Sequence, residues 1–128
     1  MPLGTTSATR LAECDVRLQL LITAVAAGID RGDLATAGIT DITVVTGHRN
    51  EADQNREVAE GDSKTPWPRS KHNSTPSRAV DIAAYPTVWA DTRAFHVLRG
   101  YVLGVAALLG VRIRVISWDG PHFELVDA

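Results

Sequence analysis

The sequence predicts an α+β domain, a small antiparallel sheet with helices packed on one side. Three observations carry that expectation. Two stretches, Leu11 to Val25 and Asp91 to Leu109, repeat apolar residues at three- and four-residue steps, as helices with one buried stripe do. Four shorter stretches, "ITDITVVTG", "RAVDIAAYP", "VRIRVISW" and "HFELV", are rich in β-branched residues or alternate apolar with polar, as strands do. The last two flank Asp119-Gly120-Pro121, a turn that sends the final strand back along its predecessor and makes that pair antiparallel.

In chain order, the first helix buries Leu11, Cys14, Leu18, Leu21, Ile22 and Val25, with Thr6 or Ser7 capping its start and Gly28 closing it. Its apolar run "LQLLITAVAAG" has the look of a secretion signal, but Glu13 and Asp15 stand where such a signal needs positive charge, so a helix is expected instead. A strand from Ile39 to Gly47 follows, then a short polar helix from Asn50 to Glu60 capped by Asn50. Gly61 to Ser77 holds three prolines among small polar residues and reads as loop; a loop that long in a compact domain is functional or disordered. The strand "RAVDIAA" is stopped by Pro86. In the helix from Asp91 to Leu109 the buried positions are Leu98, Tyr101, Val102, Val105, Leu108 and Leu109, Gly110 ends it, and Gly100 and Gly104 admit a close neighbour. Val111, Ile113 and Val115 share one face of the next strand.

Composition bounds the function. With 128 residues, 45% of them apolar, residues 1–128 form one domain that needs no covalent staples. Thirteen Lys and Arg against fifteen Asp and Glu, a formal charge of −2, argue against nucleic acid as a partner. The lone Cys14 closes no disulfide and makes no zinc knuckle; it reads as a small buried hydrophobe, and any metal must be held by His and carboxylate. No apolar run reaches the roughly eighteen residues of a membrane span, so no membrane insertion is expected. A monomer is expected.

The chemistry concentrates on two strands and the long loop. Ala79, Asp81 and Ala83 share one strand face, Val80 and Ile82 the other. An ionised carboxylate buried there costs several kcal/mol unless it meets a cation, donors or water; the alternative is an edge aspartate facing solvent. In the last strand His122, Glu124 and Val126 point one way while Phe123 and Leu125 point to the core. Asp119, three residues before His122 across the turn, converges with it, and His72 in the loop supplies a second imidazole. Two histidines and a carboxylate are a catalytic type of zinc set, with the fourth position left for water. Zinc lowers that water's pKa from about 15.7 to about 7, and a second carboxylate can take its proton.

"SKHNSTPSRAVDIAAYP" followed by "DGPHFEL" resembles the Ser-x-His, Ala-x-Asp and Asp-x-x-His signatures of the M15 family of zinc peptidases, which have a hedgehog/DD-peptidase-like fold. "TGHRN", with Gln54 after it, matches the family's Gly-x-Arg element, and the likeness runs from about Leu11 to Leu125. It is strongest to the phage and bacterial L-alanyl-D-glutamate endopeptidases and D-alanyl-D-alanine carboxypeptidases that cut peptidoglycan. The resemblance implies one zinc ion held by His72, Asp81 and His122, with Asp119 as the general base that activates water and returns the proton to the leaving amine. It implies that Arg49 stabilises the oxyanion, that Ser70 contacts the peptide substrate, and that Gln54, on the substrate side of the site, orients Arg49 and the loop.

Two departures stand out. The interval from His72 to Asp81 is longer than in many members, so "STP" must bulge, at little cost in loop-closure free energy. The carboxypeptidase branches typically carry Glu-x-x-His where this chain has Asp119-Gly120-Pro121-His122, which favours the endopeptidase branch. The expected activity is therefore that of a phage-type endolysin cutting the L-alanyl-D-glutamate bond of the stem peptide, made in the cytoplasm without a signal peptide and reaching the wall after membrane permeabilisation. The alternatives are a D-alanyl-D-alanine carboxypeptidase or dipeptidase, and a noncatalytic zinc module of the same fold. His48 is expected at the surface or behind the metal ligands, His96 in solvent, and Trp67, Trp89 and Trp118 in core or rim packing. Glu124 is either a partner of the metal ligands or a surface residue.

Overall fold

A computed structural model describes residues 3–116 and 120–126. Its elements run α1 (Thr5–Ala12), α2 (Val16–Asp30), β1 (Ile42–Thr46), α3 (Glu51–Ala59), β2 (Ala79–Ala84), α4 (Thr92–Leu109), β3 (Ile113–Val115) and β4 (His122–Leu125). The strands lie in the order β1-β2-β4-β3, and every neighbouring pair is antiparallel, as the α+β expectation required.

Strand alternation divides the sheet into two chemically different faces. Ile42, Val44, Val80, Ile82, Phe123 and Leu125 join the core against Leu18, Leu21, Ile22 and Val25 of α2 and Leu98, Val102 and Ala106 of α4. Each such side chain stabilises the fold by about 1.5–3 kcal/mol when fully buried. The opposite face carries Asp81, His122 and Glu124. Apolar burial on one side thus holds the polar residues on the other in fixed register.

The first helical stripe is two helices. The chain breaks at residues 13–15, where Asp15 caps α2 by accepting from the Arg17 N–H at 2.9 Å. The backbone of the break is used elsewhere: the Ser77 N–H donates to the Glu13 carbonyl at 2.9 Å and the Asp15 N–H to the Ser77 carbonyl at 2.8 Å, pinning the far end of the long loop. All six predicted stripe residues are still buried, because both helices face one core. Neither Thr6 nor Ser7 caps α1, which starts after Gly4; Ser7 is buried and its Oγ accepts from the Val44 N–H of β1 at 2.9 Å.

Gly28 does not end α2 but lies inside it, where a Cβ would collide with the Tyr101 hydroxyl of α4. That is the close approach expected at Gly100 and Gly104, both of which face open space. In α4 the buried stripe is Phe95, Leu98, Val102 and Ala106; Leu108 and Leu109 are exposed on the last turn. Asp91 caps its start through the Ala94 N–H at 3.1 Å, and Gly110 ends it in the left-handed region at φ 72°, as expected. β1 begins at Ile42 rather than Ile39, after a short turn at Ala35–Ala37. Asn50 caps α3 as predicted, accepting from the Asp53 N–H at 2.9 Å. Among the described residues no helix is long and apolar enough to cross a membrane.

Candidate metal centre

The pairing of β2 with β4 sets Asp81 directly opposite His122, and Asp81 Oδ1 lies 3.2 Å from His122 Nδ1. The third group arrives from the long loop, which forms one short helical turn at Lys71–Asn73. Ser70 Oγ accepts from the His72 N–H at 3.2 Å, while Asn73 Oδ1 accepts from the Ser70 N–H at 3.0 Å, so the start of the turn is closed by a reciprocal capping box. The additional residues of this loop fold back on themselves, with Ser74 Oγ 2.9 Å from the Pro76 carbonyl and 3.2 Å from that of Lys71. His72 Nε2 thereby comes within 3.2 Å of both Asp81 Oδ1 and His122 Nδ1. All three side chains are buried, and their ligand atoms are close enough to one another to hold a metal ion.

The remaining ring nitrogens decide what that cluster can bind. His72 Nδ1 lies 2.8 Å from the Gly47 carbonyl, which can only accept, so Nδ1 carries the proton and Nε2 offers a lone pair. His122 Nε2 donates to Glu124 Oε1 at 2.8 Å, which leaves its Nδ1 as the free lone pair. Glu124 Oε2 in turn accepts from Arg114 Nε at 2.8 Å. Two lone pairs and a carboxylate oxygen thus converge with no proton assigned between them. Such a constellation favours a positive charge at its centre, and its donors, each oriented by a second partner, fit a metal ion.

Without a metal, burial pushes the Asp81 carboxyl up, but protonated His72 and His122, by their charge and by donating to it, outweigh burial and hold the group well below the usual carboxylate range. Burial likewise raises Glu124, and its bonds to His122 and Arg114 more than reverse the effect. The Cys14 thiol is pushed up to about 12 by burial, reinforced by the carboxylates of Glu13, Asp81 and Asp15, consistent with an inert hydrophobe.

Arg49 is fixed beside this cluster. One guanidinium nitrogen lies 3.7 Å from Asp81 Oδ2, another donates to Gln54 Oε1 at 3.0 Å, and its backbone N–H donates to the His72 carbonyl at 2.8 Å. Gln54 is fully buried and its Nε2 donates to the Thr65 carbonyl at 2.6 Å, so it braces Arg49 and the loop. Asn73, which sequence reasoning missed, donates to the Arg49 carbonyl at 3.0 Å and to Gln54 Oε1 at 3.1 Å. The spacing of Ser70 and Asn73, that of a capping box, was its available signal. Ser70 opens with His72 and His122 onto a groove of about 400 Å³.

The expected general base, Asp119, and Trp118 lie outside the described residues. His48 Nε2 lies 3.3 Å from Thr75 Oγ1, and His96 is exposed. Trp89 is exposed and stacks on Phe95 with ring centroids 5.6 Å apart; Trp67 is half-buried.

Among solved structures, the L-Ala D-Glu endopeptidase ChiX of Serratia marcescens matches 98% of this chain and 90% of its own, at 25% identity and a TM-score of 0.71. The chain has an M15-type peptidase fold. No protein-family model and no curated protein sequence matches it. The segments that resemble the M15 signatures in sequence are those that supply His72, Asp81, His122 and Arg49 to the site.

Proposed function

We propose that the chain is a zinc-dependent peptidoglycan peptidase that hydrolyses the L-alanyl-D-glutamate bond of the stem peptide, an endolysin-type activity. The observation that carries this reading is the convergence of His72, Asp81 and His122 at three mutual distances of 3.2 Å, in a fold shared with an L-Ala D-Glu endopeptidase. Two ligands bound at about 2.0–2.1 Å to one zinc ion stand roughly 3.3 Å apart, so the spacing of the three groups fits that ion. When bound, zinc supplies a Lewis acid and an acidified water.

The chain's own residues supply the rest. His72 and His122 would hold the ion through Nε2 and Nδ1, with Gly47 and Glu124 fixing their tautomers. Arg49, braced by Gln54, places a rigid cationic fork where the scissile carbonyl oxygen gathers negative charge. Asp119 takes the proton of the attacking water and returns it to the leaving amine, and Ser70 contacts the peptide. A purely structural zinc usually has four protein ligands and no use for a braced arginine, which favours an enzyme over a noncatalytic module.

The test is mass spectrometry of purified peptidoglycan digested by the zinc-loaded protein. New amino-terminal D-glutamate, abolished by chelator and restored by zinc, supports the reading. Released D-alanine would reassign the scissile bond to that of a carboxypeptidase, and no turnover of any muropeptide would overturn the enzyme.

A further inference from the structure

We infer that the groove selects stem peptides whose glutamyl residue keeps a free carboxylate, through a cationic rim of Lys64, Arg69 and Lys71. The inference rests on the peptidase reading above. These three residues line the same groove as His72 and His122. Lys64 and Arg69 are exposed and Lys71 is half-buried, and among the described residues none of them has an ion-pair partner. The other groove cation on the sheet side, Arg114, is already bound by Glu124. Asp62 is the exposed acid of the groove. Among the described residues, three groove cations without an ion-pair partner therefore stand against one exposed acid, in a chain whose overall balance is −2. A cleft of one sign focuses the field and draws in ligands of the other.

The substrate chemistry supplies the matching group. A bond between alanine and glutamate consumes the glutamyl amine. Of the two glutamyl carboxyls, continuation of the peptide consumes one, and the other stays as a carboxylate close to the bond being cut. Amidation erases that charge with almost no change of shape. Arginine meets a carboxylate through two parallel hydrogen bonds and lysine as a point charge, and Arg69 and Lys71 flank Ser70, the residue assigned to the peptide.

The test compares two synthetic peptides spanning the L-alanyl-D-glutamate bond, one with the free glutamyl carboxylate and one with its carboxamide, cleaved by the zinc-loaded full chain. The expected kcat/KM favours the carboxylate about tenfold, as one well-placed charged hydrogen bond provides, with the difference mainly in KM. The preference shrinks as salt screens the rim. In the variant combining Lys64→Gln, Arg69→Gln and Lys71→Gln the ratio falls toward one; a ratio is insensitive to the fraction of active protein. Equal cleavage of both peptides by the natural chain, or an unchanged ratio in the variant, overturns the inference and leaves the peptidase reading standing. Cleavage of neither peptide removes that reading and the inference with it.

Discussion

Asp81 and His122 stand opposite each other on β2 and β4 with Oδ1 and Nδ1 3.2 Å apart, so two of the three ligating groups are set by strand pairing. A one-residue slip between these strands would turn one of them into the core, which the burial of Val80, Ile82, Phe123 and Leu125 forbids. His72 is the ligand delivered by a loop, and its turn is correspondingly the most heavily hydrogen-bonded part of that loop.

Glu124 orients His122 and is itself held by Arg114. Glu124→Gln keeps the shape and removes the charge, so metal affinity should fall about 10- to 100-fold, measured by competition with a chelator, while circular dichroism stays unchanged. Unchanged affinity would make Glu124 a packing residue.

Arg49→Lys keeps a positive charge but loses the fork that bonds Gln54 and faces Asp81. Steady-state kinetics on the stem peptide should give a kcat about 100- to 1000-fold lower with zinc content unaltered. A rise in KM alone would assign Arg49 to substrate binding.

Two glycine substitutions should act in opposite directions. A Cβ at Gly47 would strike the Arg10 carbonyl, so Gly47→Ala should destabilise by about 1–3 kcal/mol and disturb the carbonyl that holds His72. Gly100 sits mid-helix in α4 with open space around it, so Gly100→Ala should stabilise by about 0.5–1 kcal/mol. Thermal melts of both variants decide this.

The depressed pKa values of Asp81 and Glu124 fix a sign for acid stability in the metal-free protein. Both groups sit below their ordinary values of 3.8 and 4.5, so their contribution is fully present above about pH 5 and is lost as the pH falls through the folded values. Melting temperature should drop steeply below pH 4 in the chelated natural chain and less steeply in Asp81→Asn, where one of the two titrating groups is gone.

Much of this was legible because it depends on local spacing. The capped helix α3, the Gly110 stop and the alternation in β2 and β4 follow from neighbours in the chain. The same alternation, with the M15 signatures, located Asp81 and His122. What could not be read came from partners distant in sequence. The break between α1 and α2 serves Ser77, the glycine that admits α4 is Gly28 because Tyr101 passes over it, and Gln54 is buried because residues 63–65 fold onto it. Glu124 was ambiguous for the same reason: whether it faces solvent or His122 is decided by Arg114 on the neighbouring strand.

Metal content per chain, measured by elemental mass spectrometry after dialysis against zinc and then metal-free buffer, tests the centre most directly. One equivalent of zinc in the natural chain is predicted, lost in each of His72→Ala, Asp81→Ala and His122→Ala while their circular dichroism stays that of a folded α+β protein. Zinc absent from the natural chain, or retained at one equivalent by all three folded variants, would contradict the account.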